Sequence, residues 1–172
     1  MSPDSPRPAA KHQQFGVAEN AHGGVAEVAG ELDYVQIFRA EPMDRIRLVK
    51  SRLPASQAKA IIGDLALPSA SASRALHIPV STLNRKTKEG EALSQDESER
   101  VIGLARLIGQ VQAMVNESGD PYGFDARAWT ARWLSEPLPA LGGTRPLDLM
   151  DTMEGQGLVA ETLARIQSGA YA

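Results

Sequence analysis

Apolar residues recur at intervals of three and four along most of the chain, which is the spacing of amphipathic helices. Four such series predict four helices: Met43, Ile46, Val49 and Leu53; Ala58, Ile61, Ile62 and Leu65; Val101, Leu104, Ala105, Ile108, Val111 and Val115; and Leu158, Val159, Leu163 and Ile166. Residues 32–39 break the pattern, because β-branched and aromatic residues stand close together there, and they predict a short strand or extended segment. The expected fold class is therefore mainly α.

The third series belongs to the longest predicted helix. Ser94 and Glu97 have capping-box spacing, in which the serine side chain caps the helix and the glutamate returns to the serine N–H. A helix from there to Ser118 would be about 37 Å long. Its apolar stripe is wide enough to be buried against more than one neighbour. We expect this helix to link two halves of the chain, and a contact with a second copy in a homodimer remains open.

Residues 69–90 have the pattern of a helix-turn-helix. Leu76 and Ile78 flank a predicted tight turn, and Leu83 is placed to anchor the second helix on the core. Polar and basic residues then lie on or near the outer side of that helix: Ser81, Thr82, Asn84, Arg85, Lys86 and Lys88. Side chains at the start of such a helix read base edges in the major groove, and neighbouring cations bind phosphates. The alternative is a small helical domain with a solvated basic face.

The turn departs from the usual pattern at one position. His77 stands where this motif commonly has glycine. If the backbone there needs a positive φ, histidine adopts it at a higher cost than glycine does. The match of the turn geometry, and with it the strength of DNA binding, depends on that cost.

The last third of the chain contains several short helix signals. Asp125 is placed to cap a helix that carries Trp129 and Trp133 on one face. Thr144 is predicted to cap a second short helix with Pro146 in its first turn.

Glycines are predicted to bound the final two helices. Gly155 and Gly157 are expected to break the helix that Pro146 opens. Gly169 is expected to end the last helix, close to the end of the sequence at Ala172.

The formal net charge of −3 hides a split along the chain. Residues 41–90 carry nine Lys/Arg against four acids, a net charge of +5, and residues 91–172 carry six Arg against twelve acids, a net charge of −6. A basic segment followed by an acidic one predicts two surfaces with two kinds of partner.

Several function classes are disfavoured by what the sequence contains. It has no cysteine, no apolar run long enough to cross a membrane, and an N-terminus without a secretory signal pattern, so we expect a cytoplasmic protein. It has no glycine-rich phosphate loop, nucleophile elbow or His-Glu-x-x-His motif. We therefore expect a protein that is not an enzyme and needs no metal or cofactor.

Four short motifs in order carry a family resemblance. They are Trp-x3-Trp-Leu from residue 129, Pro-x-Pro-Ala-Leu-Gly-Gly from residue 137, Arg-Pro-x-Asp-Leu-Met from residue 145, and the ending Arg-Ile-x-x-Gly-x-Tyr-Ala from residue 165. The segment resembles the toxin-binding domain of Xre/MbcA/ParS-type antitoxins, and the likeness extends upstream to about residue 34. It implies an Xre/Cro-like helix-turn-helix domain at 32–92, and the long helix with a small toxin-binding domain at 93–172. Residues 1–31 lie outside the likeness, and because they are rich in Pro, Gly, Ala and Ser with little apolar periodicity, they are predicted to form a flexible tail.

The resemblance also implies partners. These are a cognate RES-domain toxin that degrades NAD+, operator DNA through which the protein represses its own operon, and a second copy in a homodimer. The last helix and tail would block the toxin's active site, with Arg165, Gly169, Tyr171 and Ala172 as the residues expected to bind it. Two alternatives remain open here: a free-standing helix-turn-helix transcription regulator whose C-terminal domain dimerises or senses a ligand, and a pure protein-interaction module.

Overall fold

The computed structural model describes residues 27–28, 31–119 and 122–169, and these are mainly α-helical, as predicted. The helices are α1 (Tyr34–Arg39), α2 (Pro42–Lys50), α3 (Ala55–Asp64), α4 (Ser69–Ala75), α5 (Val80–Glu89), α6 (Gln95–Glu117), α7 (Ala126–Ser135) and α8 (Met153–Gln167). Two 3₁₀ helices, Pro139–Leu141 and Pro146–Leu149, lie between α7 and α8. Two antiparallel two-residue strands, β1 (Glu27–Val28) and β2 (Glu31–Leu32), precede α1. The rest of the predicted tail lies outside the described residues.

The long helix α6 carries the core. Its capping box forms as predicted, with Ser94 Oγ accepting from the Glu97 N–H (3.2 Å) and Glu97 Oε2 accepting from the Ser94 N–H (2.7 Å). The central apolar side chains of the stripe are buried: Val101, Ile102, Leu104, Ala105, Leu107, Ile108 and Val111. They form one cluster with side chains from helices on both sides of α6 in the sequence. The chain itself buries the central part of this stripe, whereas Met114 and Val115 near its end are half-buried, and a homodimer contact through α6 stays a prediction.

The helix predicted from Pro42 forms, but its apolar side chains are poorly covered. None of the residues of α2 is fully buried. Met43 is 57 % exposed and Ile46 is 44 % exposed, whereas Leu53, just beyond the helix, is completely buried. In α3, by contrast, Ala58 and Ile61 are buried as predicted, and Ile62 packs half-buried against the core.

The strand predicted for residues 32–39 is wrong beyond Leu32, because the chain forms α1 instead. Asp33 caps this helix by accepting a hydrogen bond from the Gln36 N–H (2.9 Å). The buried pair Tyr34 and Ile37 has the three-residue spacing of a helix that packs on α6. The close approach depends on Gly109 of α6, where an added Cβ would lie 1.9 Å from the Tyr34 carbonyl oxygen.

The predicted cap at Thr144 is also wrong. Thr144 pairs through its backbone with Leu138, whose N–H donates to the Thr144 carbonyl (3.2 Å). Arg145 occupies the cap position of the 3₁₀ helix, and Pro146 stands in its first turn as predicted.

The predicted break at Gly155 and Gly157 does not occur, since both glycines lie inside α8. Thr152 caps this helix, and its Oγ1 accepts from the Gly155 N–H (3.0 Å). Gly155 is needed for packing, because a Cβ there would lie 2.0 Å from the Leu149 carbonyl oxygen. Across the described ranges, no helix combines the length and apolar character needed to cross a membrane.

Candidate functional sites

The helix-turn-helix forms as predicted from α4 and α5. Leu76, Ile78 and Leu83 are all buried, so the turn is held from inside and α5 is anchored on the core. The Ser73 hydroxyl closes the turn by donating to the Ile78 carbonyl (2.5 Å). His77 has a φ of +49°, so the position does require the left-handed conformation that glycine adopts more easily.

His77 also has a side-chain neighbour that the sequence did not indicate. Its Nδ1 lies 3.9 Å from Asp151 Oδ2, in the loop that leads into α8. Arg74, Arg145 and Asp148 line a cavity of about 400 Å³ around this contact. The turn of the helix-turn-helix therefore meets the C-terminal part of the chain directly.

The outer face of α5 presents most of the predicted DNA-binding residues. Ser81, Asn84, Arg85 and Lys88 are exposed, and Thr82 is half-buried. Arg85 is not a free cation, however, because it pairs with Glu89 and with Glu91, the latter at 3.1 Å. The hydrogen bond to Glu91 and the charge of Glu89 raise the pKa of Arg85 above its ordinary value.

Lys86 occupies a different environment from the other five residues. Its Nζ lies 2.7 Å from Glu97 Oε2, and the two side chains are only 15 % and 14 % exposed. Because Glu97 also closes the capping box of α6, this pair joins α5 to α6. The structure thus gives Lys86 a role in the fold, and its contact with DNA stays a prediction.

Burial alone would raise the pKa of Glu97, but hydrogen bonds from Lys86 and the Ser94 N–H, together with the charge of Lys86, hold it below its usual value. Because the folded-state pKa is lowered, the pair stabilises the protein above the unfolded-state pKa of about 4.3. That contribution disappears as the pH falls through the folded-state pKa.

We therefore expect Lys86→Met to lower the free energy of unfolding by about 1–2 kcal/mol at pH 7, because it leaves a largely buried carboxylate unpaired. The difference from the parent protein should shrink towards pH 3, where Glu97 is protonated. Urea unfolding at the two pH values measures this. Lys88→Met, on the exposed face of the same helix, is the control and should change stability by less than about 0.5 kcal/mol. An equal effect of Lys86→Met at both pH values would contradict the ion-pair explanation.

The predicted toxin-binding residues lie at the end of α8, as far as the structure describes them. Arg165 is exposed and forms an ion pair with Glu161 one turn earlier. Gly169 has a φ of +73° and follows the cap residue Ser168, so it ends α8 as predicted. Tyr171 and Ala172 lie outside the described residues.

Two apolar residues of α8 that the sequence placed in its core stripe are exposed instead. Leu158 is 45 % exposed and Ile166 is 41 % exposed, whereas Val159 and Leu163 are buried. Leu158, Glu161 and Arg165 lie along the outer side of α8, and Ile166 is exposed because it lies in the last turn, so the exposed surface is apolar and charged at once. We call these four residues the α8 outer face. A mixed surface of this kind is typical of protein interfaces. Of its four residues, only Arg165 was predicted from the sequence to bind the toxin, and the other three were missed.

The other motifs of the last third are structural. Asp125 caps α7 by accepting from the N–H groups of Arg127 and Ala128, both at 3.0 Å. The rings of Trp129 and Trp133 stack with their centroids 5.9 Å apart.

The arginine and aspartate of the third motif also hold the backbone in place. Arg145 makes two hydrogen bonds of 2.8 Å to Asp148, which fix the 3₁₀ helix that packs against α7 and α8. Asp148 is thereby paired with an arginine, in addition to lying at the start of a helix.

Two family models match the chain over these surfaces. Residues 44–106 match the antitoxin Xre-like helix-turn-helix domain, and residues 119–169 match the antitoxin Xre/MbcA/ParS C-terminal toxin-binding domain. The second match ends at Gly169 and contains the α8 outer face.

Curated relatives agree with these matches. The chain is 48 % identical over 139 residues to the Prs ADP-ribosylating antitoxin of a Sphingobium species, an alignment that covers 81 % of this chain and 87 % of the relative. It is 29 % identical over 92 residues to antitoxin Xre of Pseudomonas putida, covering 54 % and 52 % of the two chains. It is 30 % identical over 105 residues to antitoxin Xre of Yersinia enterocolitica, covering 61 % and 66 %.

The toxin-binding domain distinguishes this chain from a free-standing transcription regulator. A helix-turn-helix that precedes such a domain is the arrangement that the sequence predicted, and both parts are found by their own family models. The chain therefore belongs to the Xre/MbcA/ParS antitoxins: it is a toxin-binding antitoxin with a helix-turn-helix domain.

Proposed function

We propose that this antitoxin neutralises a RES-domain toxin that consumes NAD+, and that it represses its own operon. The name of the Sphingobium relative links that antitoxin to ADP-ribosylation of Prs. ADP-ribosyl transfer breaks the bond between nicotinamide and ribose, so NAD+ is consumed whether ADP-ribose passes to a protein or to water. The toxin's pocket must accept the anionic pyrophosphate of NAD+ in either case. We assign the catalysis to the toxin.

The observation that carries the proposal is the exposure of the α8 outer face. Leu158, in the middle of α8, and Ile166, in its last turn, remain uncovered, whereas Val159 and Leu163 of the same helix are buried. Arg165 lies two turns after Leu158 on the same side of α8, and Tyr171 follows shortly after Gly169 in the sequence. The α8 outer face binds the toxin beside its active site, and the residues after Gly169 enter the pocket and exclude NAD+.

Removal of residues 167–172 is expected to abolish or strongly weaken neutralisation, because Tyr171 no longer reaches the pocket. The measurement is growth and cellular NAD+ in cells that express the toxin with either form of the antitoxin. Circular dichroism of the truncated chain serves as the folding control. Unchanged neutralisation by a folded truncated chain would contradict blockage by the tail.

The basic segment, residues 41–90, supports the proposed repression of the operon. The exposed residues of α5, above all Ser81, Asn84 and Lys88, face outwards from a helix whose inner side is buried. Two copies in a homodimer place two such helices about 34 Å apart, in successive major grooves of a palindromic operator. Both proposed partners, NAD+-consuming toxin and operator DNA, place the protein in the cytoplasm.

A further inference from the structure

A lysine outside the helix-turn-helix contacts its proposed reading face. Lys59, on α3, donates a hydrogen bond from Nζ to Oδ1 of Asn84 on α5 at 2.8 Å. Both side chains are exposed, so the contact lies on the surface that α5 presents to solvent. Any base edge that Asn84 touches in the major groove therefore also lies beside the ammonium group of Lys59.

The chemistry of this contact fixes the orientation of the Asn84 amide. A lysine ammonium group has three donors and no acceptor, so it can meet only the oxygen of the amide. The NH2 group of Asn84 is then directed away from Lys59. The pair consequently offers donors to an approaching base: the amide NH2 and the remaining N–H bonds of the ammonium.

Guanine and adenine differ in how they meet such a donor pair. Guanine shows two acceptors in the major groove, N7 and O6, whereas adenine shows the acceptor N7 and the donor N6–H₂. The usual asparagine–adenine pair requires the amide oxygen to accept from N6. Here that oxygen is engaged by Lys59, and the adenine amino group would also face a cation.

Lys59 differs from Arg85 and Lys86 of α5 in keeping its charge available. Arg85 is paired with two glutamates and Lys86 with Glu97. Among the contacts of the described residues, Lys59 has Asn84 as its hydrogen-bond partner and no carboxylate.

We propose that Lys59 is a specificity-determining residue, which with Asn84 forms a donor pair that selects guanine over adenine at one base pair of each operator half-site. This inference rests on the proposed DNA-binding function and names the base preference of that surface. Asparagine alone would have suggested adenine at the same position.

The experiment is selection of bound duplexes from a pool with randomised sequence, using the purified full-length antitoxin and its Lys59→Met variant. The parent protein should enrich guanine at one position in each half-site. Lys59→Met frees the Asn84 oxygen, and the preference at that position should move towards adenine by about tenfold or more, the usual effect of one bidentate base contact. Lys50→Met, which removes the same charge from α2, is the control and should leave the base preference unchanged.

Three other outcomes would each contradict one of the claims made above. If Lys59→Met weakens binding equally for all sequences, Lys59 binds phosphate and the specificity inference is wrong. If the parent protein selects adenine at the position lost in Asn84→Ala, the orientation argued for the amide is wrong. If the parent protein enriches no sequence, the proposed operator binding fails, and this inference fails with it. Lys59→Ala, which also leaves no donor to the Asn84 oxygen, replaces the methionine variant if thermal unfolding shows that the latter is destabilised.

Discussion

Leu158→Asp combined with Arg165→Glu is expected to abolish toxin neutralisation while the antitoxin stays folded. Both residues are exposed on the α8 outer face, so the substitutions remove no core contact. In the complex, the new aspartate would be desolvated without a partner and the charge at position 165 would be reversed. Each change opposes binding by about 2 kcal/mol or more, so the Kd for the toxin should rise by about 700-fold or more if the two effects add. Calorimetry or surface plasmon resonance with the purified toxin measures it.

A matched control places the same substitution on α2, whose apolar side chains are also exposed. Ile46 of α2 has nearly the same exposure as Leu158, 44 % against 45 %. Ile46→Asp places the same charge on the same kind of surface, and toxin affinity should be unchanged. Equal losses of toxin affinity with the α2 and α8 variants would show that neither surface is a specific site for the toxin.

The same variants test whether the two activities are separable. The α8 variant should retain operator binding, because α5 is unaltered and lies in the basic half of the chain. Conversely, Asn84→Asp with Lys88→Glu should lose operator binding and keep neutralisation, since both residues are exposed on α5. Loss of both activities in either folded variant would contradict two independent surfaces.

Several local signals were interpreted correctly from the sequence, although the cap predicted at Thr144 was not. The caps at Ser94 and Asp125 depend on a side chain and N–H groups within three residues, and both form. The same holds for the helix-turn-helix, whose buried positions Leu76, Ile78 and Leu83 lie within eight residues. Such features need little knowledge of what packs against them.

The α8 outer face was missed because helical spacing does not say which apolar residues the core reaches. At about 100° per residue, Leu158 points roughly 120° away from the middle of the buried pair Val159 and Leu163. Ile166 shares the buried side but lies in the last turn, where every described residue after Leu163 is exposed. Which of these residues are buried depends on how α8 packs against α6, and helical spacing alone does not predict that packing.

The prediction that Gly155 and Gly157 break a helix was wrong for a related reason. The sequence treats Gly155 and Gly157 alike, as helix breakers, although both are helical. In the structure they differ completely: a Cβ on Gly155 would lie 2.0 Å from the Leu149 carbonyl oxygen, whereas a Cβ on Gly157 would meet nothing within 4 Å. One glycine is required by the neighbouring backbone, and the other only weakens the helix.

This difference gives the prediction with the largest effect on stability. Gly155→Ala should lower the free energy of unfolding by about 2–3 kcal/mol, because the 3₁₀ helix before α8 must move to admit the methyl group. Gly157→Ala should instead raise it by about 0.5–1 kcal/mol, since alanine restricts the unfolded chain and favours the helix. Thermal and urea unfolding of the two variants measure both values. Similar effects of the same sign would mean that α8 does not pack against Leu149 as described, and the placement of the α8 outer face would then be wrong as well.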